Sequence, residues 1–216
     1  MTHGLFLPAM AVGSCLGLGK PATMAPLLSA WRGGLRPLPG HAVPAGTPAG
    51  VPVGALPAPL PALPPGFEDW DCRNNRLLAL LAAEIGDEVA AAIRRHGSHR
   101  IAVVLGTSTS GIAEGEDAYA HRLRTGGWPA AFHYRQQETG GGALFLAELL
   151  GLSGPAFVVA TACSSAAKAI ASARRLLRAG LADAAIVGRA DPLCRLPWAG
   201  IGTLVLAHAR ARADTE

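Results

Sequence analysis

The chain has 216 residues, of which 50% are hydrophobic, enough apolar material for one ordinary domain with a real core and too much for a disordered chain. The 19 Lys and Arg against 15 Asp and Glu leave a net charge of +4, nearly all of it from scattered arginines, since Lys20 and Lys168 are the only lysines. A charge that small and diffuse excludes a nucleic-acid surface and suits an Arg-rich composition as well as an acidic partner.

The first 19 residues contain no Asp, Glu, Lys or Arg. Val12-Gly13-Ser14-Cys15 superficially matches a lipoprotein cleavage box, but no basic segment precedes it, and Pro8 and several glycines interrupt the apolar run. The run is also short of the roughly 20 residues that a membrane span needs. Residues 5–12 are therefore expected to form a buried first strand, ended by glycines, with a helix over 21–31 stopped by Gly33-Gly34. The stretch 14–20 approaches a phosphate loop but fails the pattern at Ser14 and Pro21.

From 37 to 66 there are ten prolines and no charged residue, which excludes a central strand or a long helix and predicts an extended surface excursion. A helix follows over 76–96, capped by Asp or Asn of the Asp71 to Asn75 stretch, with Leu77, Leu80, Leu81, Ile85, Val89 and Ile93 on one stripe and Glu84, Glu88, Arg94 and Arg95 opposite. Residues 100–106 predict a buried strand of the parallel kind. The polar stretch 111–128 predicts turns, Arg135-Gln136-Gln137 a solvated loop, and 138–150 a helix with glycines near its start. The end is the most regular part: a strand over 156–160, a turn at 161–164, a helix over 165–179 stopped by Gly180, and a strand over 184–188. Alternating strands and helices make the chain α/β.

The four cysteines, Cys15, Cys72, Cys163 and Cys194, show no CxxC pair and no His at zinc-ligand spacing, so reduced thiols in a cytoplasmic protein are expected, with no metal and no cofactor. Cys163 is the chemically pointed one. It stands between a buried strand and the start of a helix, where unpaired amides and the helix dipole stabilise a thiolate. A tight turn there also lifts the side chain from the sheet and aims amides at a developing oxyanion. The following Ser164-Ser165-Ala166-Ala167 residues are small enough to leave room for an acyl chain. On chemistry alone a buried structural cysteine stays open as the alternative.

Ala162-Cys163-Ser164-Ser165, then Ala169-Ile170 and the run from Ala179-Gly180-Leu181 to Ile186-Val187-Gly188, resembles the active-site cysteine helix and following strand of the β-ketoacyl-acyl-carrier-protein synthases. Val104-Leu105-Gly106-Thr107-Ser108-Thr109-Ser110-Gly111-Ile112 resembles the strand and loop that precede them. The resemblance implies an α/β thiolase-like fold, N-terminal half, with a mixed sheet, covering helices and a buried nucleophile helix. It takes 1–216 as one domain, with 37–66 an excursion and 200–216 a divergent C-terminal end, either a last strand or an unrelated tail.

The resemblance further implies an acyltransferase of fatty acid or polyketide biosynthesis. Cys163 would carry the acyl group, its own amide would be one oxyanion donor, and acyl carrier protein and a second synthase subunit would be partners in a homo- or heterodimer. In the family two histidines that activate the extender belong to the second half. None of His3, His41, His96, His99, His121, His133 and His208 stands in their motifs, and Arg189 stands where a second glycine usually follows Gly188. Acylation without decarboxylative condensation is the expectation. Its alternatives are a chain-length-factor-like partner subunit, paired through the strand at 156–160, and a truncated gene remnant.

Overall fold

The computed structural model describes residues 5–29, 34–37, 52–57 and 59–195. Strands β1 (Gly13–Ser14) and β2 (Gly17–Leu18) pair antiparallel and lead into helix α1 (Lys20–Leu28), which carries Pro21 in its first turn where no amide is missed. Strands β3 (Leu35–Pro37) and β4 (Pro52–Gly54) form a second antiparallel ribbon with Pro37 opposite Pro52 at its end, a position that tolerates missing donors. Helices α2 (Arg73–Ala83) and α3 (Gly86–His96) precede strand β5 (Ile101–Gly106). Helix α4 (Ile112–Thr125), helix α5 (Gly141–Leu149), strand β6 (Ala156–Val159), helix α6 (Ser165–Arg178) and strand β7 (Ala184–Arg189) complete the order.

β5 is buried at every position, and β6 and β7 flank it in the order β6-β5-β7, both parallel to it. Its side chains alternate between two cores, as a strand covered on both faces requires. Ile101, Val103 and Leu105 join Trp70, Leu78, Phe145 and Leu146 beneath α2 and α5, whereas Ala102 and Val104 meet Ala169 and Ala173 of α6. In the first core Phe67 stands edge-on to Phe145, and the Trp70 indole donates to Glu148 at 3.1 Å. The glycines that weaken α5 as a sequence signal are close-packing positions: a Cβ on Gly141 would stand 2.7 Å from the Arg135 carbonyl, and one on Gly142 would stand 3.1 Å from Leu78.

The α/β class and the strand-helix-strand unit at the end are as expected, with β5 inserted between the two strands of that unit. Four expectations are corrected. Residues 5–12 form no strand; Phe6 and Leu7 are exposed, and Pro8 brings no amide to a ladder. The single helix over 76–96 is two helices broken before Gly86, a residue that costs about 1 kcal/mol inside a helix. The fully buried residues of α2 are Asn74, Asn75, Leu78 and Ala82, while of the expected stripe Leu77 and Ile93 are half-buried against the same core and Val89 is buried in α3; the N-cap of α2 is Cys72, whose thiol accepts from the Asn75 amide. The stretch expected to be turns contains α4, whose buried residues are Gly115 and Ala118, too small to write an apolar period. The expectations at Trp31, Gly33, His3, His41, His208 and 200–216 lie outside the described residues, as do residues 38–51 and 58 of the excursion at 37–66. Among the described residues no helix is long and apolar enough to cross a membrane.

Gly106 ends β5 where α6 begins. A Cβ there would lie 2.8 Å from the Ser165 carbonyl carbon and 2.9 Å from the Ala166 nitrogen, both backbone atoms that cannot swing aside. Gly106→Ala is expected to destabilise the fold by about 1–3 kcal/mol by overpacking. Gly188→Ala, whose Cβ would meet only Leu105 at 3.8 Å, is expected to stay within about 0.5 kcal/mol of the parent in equilibrium urea unfolding. Equal midpoints for the two variants would show that α6 is not seated on β5 by this contact.

Candidate active site

The three parallel strands release their chains at one edge, the carboxyl edge, where α/β folds collect functional loops. β5 runs into Thr107-Ser108-Thr109-Ser110, β6 into Thr161 and a 3-10 turn over Ala162–Ser164, and β7 into Ala190 and Asp191. Cys163 is the middle residue of that turn and is exposed. Ala162 before it has φ +51°, a left-handed conformation that costs a non-glycine residue about 1–2 kcal/mol and is held by surrounding bonds.

Those bonds come from the turn itself and from β5. The Thr161 amide donates to Ser165 Oγ at 2.9 Å, and Ser164 Oγ lies 2.9 Å from the Thr161 carbonyl and 3.1 Å from its hydroxyl. Ser165 is fully buried, and its Oγ stands 2.6 Å from the Ala162 carbonyl and 3.2 Å from the Thr107 carbonyl, one hydroxyl proton between two acceptors. The serine thus ties the left-handed residue to the end of the central strand. Cys163 is the sequence-predicted site residue, and it stands at the mouth of the sheet, exposed among the described residues.

Arg189, whose identity the sequence offers only as a departure from the usual glycine, reaches into this turn. Its guanidinium donates to the Ala162 carbonyl at 3.2 Å, the Cys163 carbonyl at 3.3 Å and Ser108 Oγ at 2.8 Å, and its Nε pairs with Asp191. Asp191 Oδ1 in turn accepts from the Ser108 amide at 2.6 Å, the Thr109 amide at 3.1 Å, and the hydroxyls of Thr107 and Thr109 at 2.8 and 3.1 Å. Burial pushes the Asp191 carboxyl up, but the Ser108 amide, the Thr107 hydroxyl and Arg189 outweigh it and hold the group below the usual carboxylate range. Ser110, at φ +48°, completes the loop by donating from Oγ to the Glu138 carbonyl at 2.9 Å.

Cys72 is buried and Cys194 half-buried, whereas Cys163 is exposed. Burial pushes Cys72 up to about 12, and burial with the nearby Glu116 and Asp191 charges pushes Cys194 up to about 11, so both are protonated near neutrality. The expected solvated loop at 135–137 is corrected as well. Gln136 is buried, with its side chain bonded to the Ala131 carbonyl and the His133 amide, while Arg135 lies 5.0 Å over the Trp70 ring. His133 caps that turn by accepting from the Arg135 amide at 3.3 Å.

Comparison with known proteins agrees with this geometry. The family model for the β-ketoacyl synthase N-terminal domain matches residues 76–213. Nodulation protein E of Rhizobium meliloti is 34% identical over 116 residues, 53% of this chain and 29% of that protein. Among solved structures, a ketosynthase (ApeO) in complex with its chain length factor (ApeC) from Xenorhabdus doucetiae superposes with a TM-score of 0.81 at 39% identity, covering 90% of this chain and 49% of the matched one. The ishigamide ketosynthase/chain length factor shares the fold at a TM-score of 0.66 and 22% identity, over 88% of this chain and 49% of that one. The chain therefore spans about half the length of the solved chains it matches and less of the nodulation protein.

Two outcomes follow from the site's chemistry. Because the folded Asp191 carboxyl sits below its unfolded value, its contribution to stability is complete above about pH 4 and is lost as pH falls through the folded value. Asp191→Asn is expected to cost about 1–3 kcal/mol at pH 7, the two proteins converging in unfolding experiments at the acid end. Peptide mapping after brief iodoacetamide treatment at pH 8 is expected to find Cys163 modified and Cys72 and Cys194 intact.

Proposed function

The chain belongs to the β-ketoacyl synthase N-terminal-domain family, and from that membership we propose that Cys163 accepts an acyl group from a carrier-protein thioester, in fatty acid or polyketide biosynthesis. The observation that carries this is the placement of an exposed cysteine on a left-handed turn, between the end of a parallel strand and the first residue of α6. The Cys163 sulfur attacks the acyl carbonyl carbon, and the amide of Cys163 is a donor to the resulting oxyanion. The bond from that carbon to the carrier sulfur then breaks, and the carrier leaves as a thiol with the proton that Cys163 gave up. Nothing is oxidised or reduced, and no cofactor is needed. Decarboxylative condensation is a further reaction. It calls on two extender-activating histidines, which in the family lie in other motifs than those that hold this chain's seven.

A second function is favoured by the sheet itself, in which, among the described residues, β6 is an outer strand with Phe157 37% exposed. An open strand edge is a template for pairing with another chain. On this basis the chain is a non-catalytic subunit that pairs through β6 with a full-length synthase, as in the similar structure, where the ketosynthase ApeO is in complex with its chain length factor ApeC.

Incubation with acyl-loaded carrier protein, followed by intact mass spectrometry, tests the first proposal. The expected result is one acyl mass added to the parent and none to Cys163→Ala. A gain that persists in the variant, or no gain in a parent that still alkylates at Cys163, would reject it. Co-expression with a full-length synthase tests the second: co-purification that Phe157→Glu abolishes supports it, and a chain recovered alone sinks it.

A further inference from the structure

Arg189 stands in the wall of the nucleophile turn and belongs to none of the roles above. Its guanidinium donates to two consecutive carbonyls, Ala162 at 3.2 Å and Cys163 at 3.3 Å. Each of those carbonyls shares a planar trans peptide group with the amide that follows it, and in such a group the C=O and N–H point in opposite directions. A donor that fixes the Ala162 carbonyl therefore fixes the Cys163 amide pointing away from Arg189. One that fixes the Cys163 carbonyl does the same for the Ser164 amide, which donates within the turn to the Thr161 carbonyl at 3.3 Å.

We infer that Arg189 is a positioning residue for the oxyanion site, clamping two peptide planes so that the Cys163 amide faces away from the β7 side of the turn while the Ser164 amide stays closed on the Thr161 carbonyl; the inference rests on acyl transfer at Cys163 for its catalytic meaning only. The clamp is itself anchored. Nε is paired with Asp191, the second terminal nitrogen donates to Ser108 Oγ at 2.8 Å, and Asp191 is bonded to the Ser108 and Thr109 amides. The guanidinium is thus fixed from the β5 and β7 loops and acts on the β6 turn, bringing all three strand ends into one bonded unit. A planar fork with five donors can serve four acceptors at once, whereas a lysine ammonium has three donors on a flexible stem. The left-handed Ala162 supplies a reason for such a clamp, since a turn held in that conformation has a lower-energy arrangement available once the bonds are released.

The test uses the full chain as Arg189→Met, Arg189→Lys and Asp191→Asn, the last leaving the guanidinium in place but unanchored. Hydrogen exchange of the peptide covering 161–166 is expected to be at least about tenfold faster in Arg189→Met, partly restored in Arg189→Lys and intermediate in Asp191→Asn. Acylation of Cys163 from a carrier-protein thioester is expected to fall about 100-fold in Arg189→Met, the order that misplacement of a catalytic group produces. Iodoacetamide alkylation, which forms no oxyanion, is expected to stay within about threefold. Unchanged exchange at 161–166 overturns the clamp, and so does a parallel fall in alkylation and acylation, which would place the effect on the thiol. If the parent alkylates but accepts no acyl group, acyl transfer is what has failed, and the exchange measurement still decides the clamp. Should Arg189→Met not fold, exchange in Asp191→Asn decides it in the same way.

Discussion

The contact on which the rest of the structure depends is the seating of α6 on the end of β5. With no side chain on Gly106, the backbone at Ser165 and Ala166 comes against the strand, and the buried Ser165 hydroxyl reaches both the Thr107 and Ala162 carbonyls. A helix start held against a strand end has its first amides at the sheet's carboxyl edge, where a parallel fold leaves room for chemistry. Cys163 is placed by that seating, with Arg189 bonded to its carbonyl.

The sheet makes the seating possible because β5 is covered on both faces by different cores. Ile101, Val103 and Leu105 press on the aromatic cluster of Trp70 and Phe145, and Ala102 and Val104 press on the small face of α6. The small residues matter as much as the large ones. Ala169 and Ala173 let α6 lie close to the sheet, much as Gly141 and Gly142 let α5 lie close to its neighbours. Close approach on both sides fixes β5 in position, and the loop at 107–110 inherits that rigidity.

Around the nucleophile turn the polar network adds what packing alone does not supply. Asp191 is half-buried yet kept ionised by the amides and hydroxyls of the 107–109 loop, and its charge is met by Arg189. A buried charge pair stabilises little unless its remaining donors and acceptors are satisfied. Here they are satisfied by the loops from β5 and β6 that the pair joins, so its value lies in geometry more than in binding energy.

Much of this was legible in the sequence. The run at 100–106, the strand-turn-helix-strand over 156–188 and the small residues after Cys163 wrote the α/β class and marked the candidate nucleophile, because strand burial, helix capping and residue size are local properties. The family followed from the same residues. Other elements were misjudged for reasons equally physical. α4 buries only Gly115 and Ala118 and so carries no apolar period, the 5–12 run has the composition of a strand without its pairing, and the break before Gly86 interrupts a pattern that looks continuous. What only the tertiary structure decided is the role of residues whose partners are far away along the chain. Arg189 and Asp191 lie more than 20 residues beyond the turn and about 80 beyond the Ser108 loop, and no spacing rule joins positions so distant. In sequence Arg189 was a missing glycine; in the fold, with three parallel strands ending side by side, it is the side chain that ties the Cys163 turn to its neighbours.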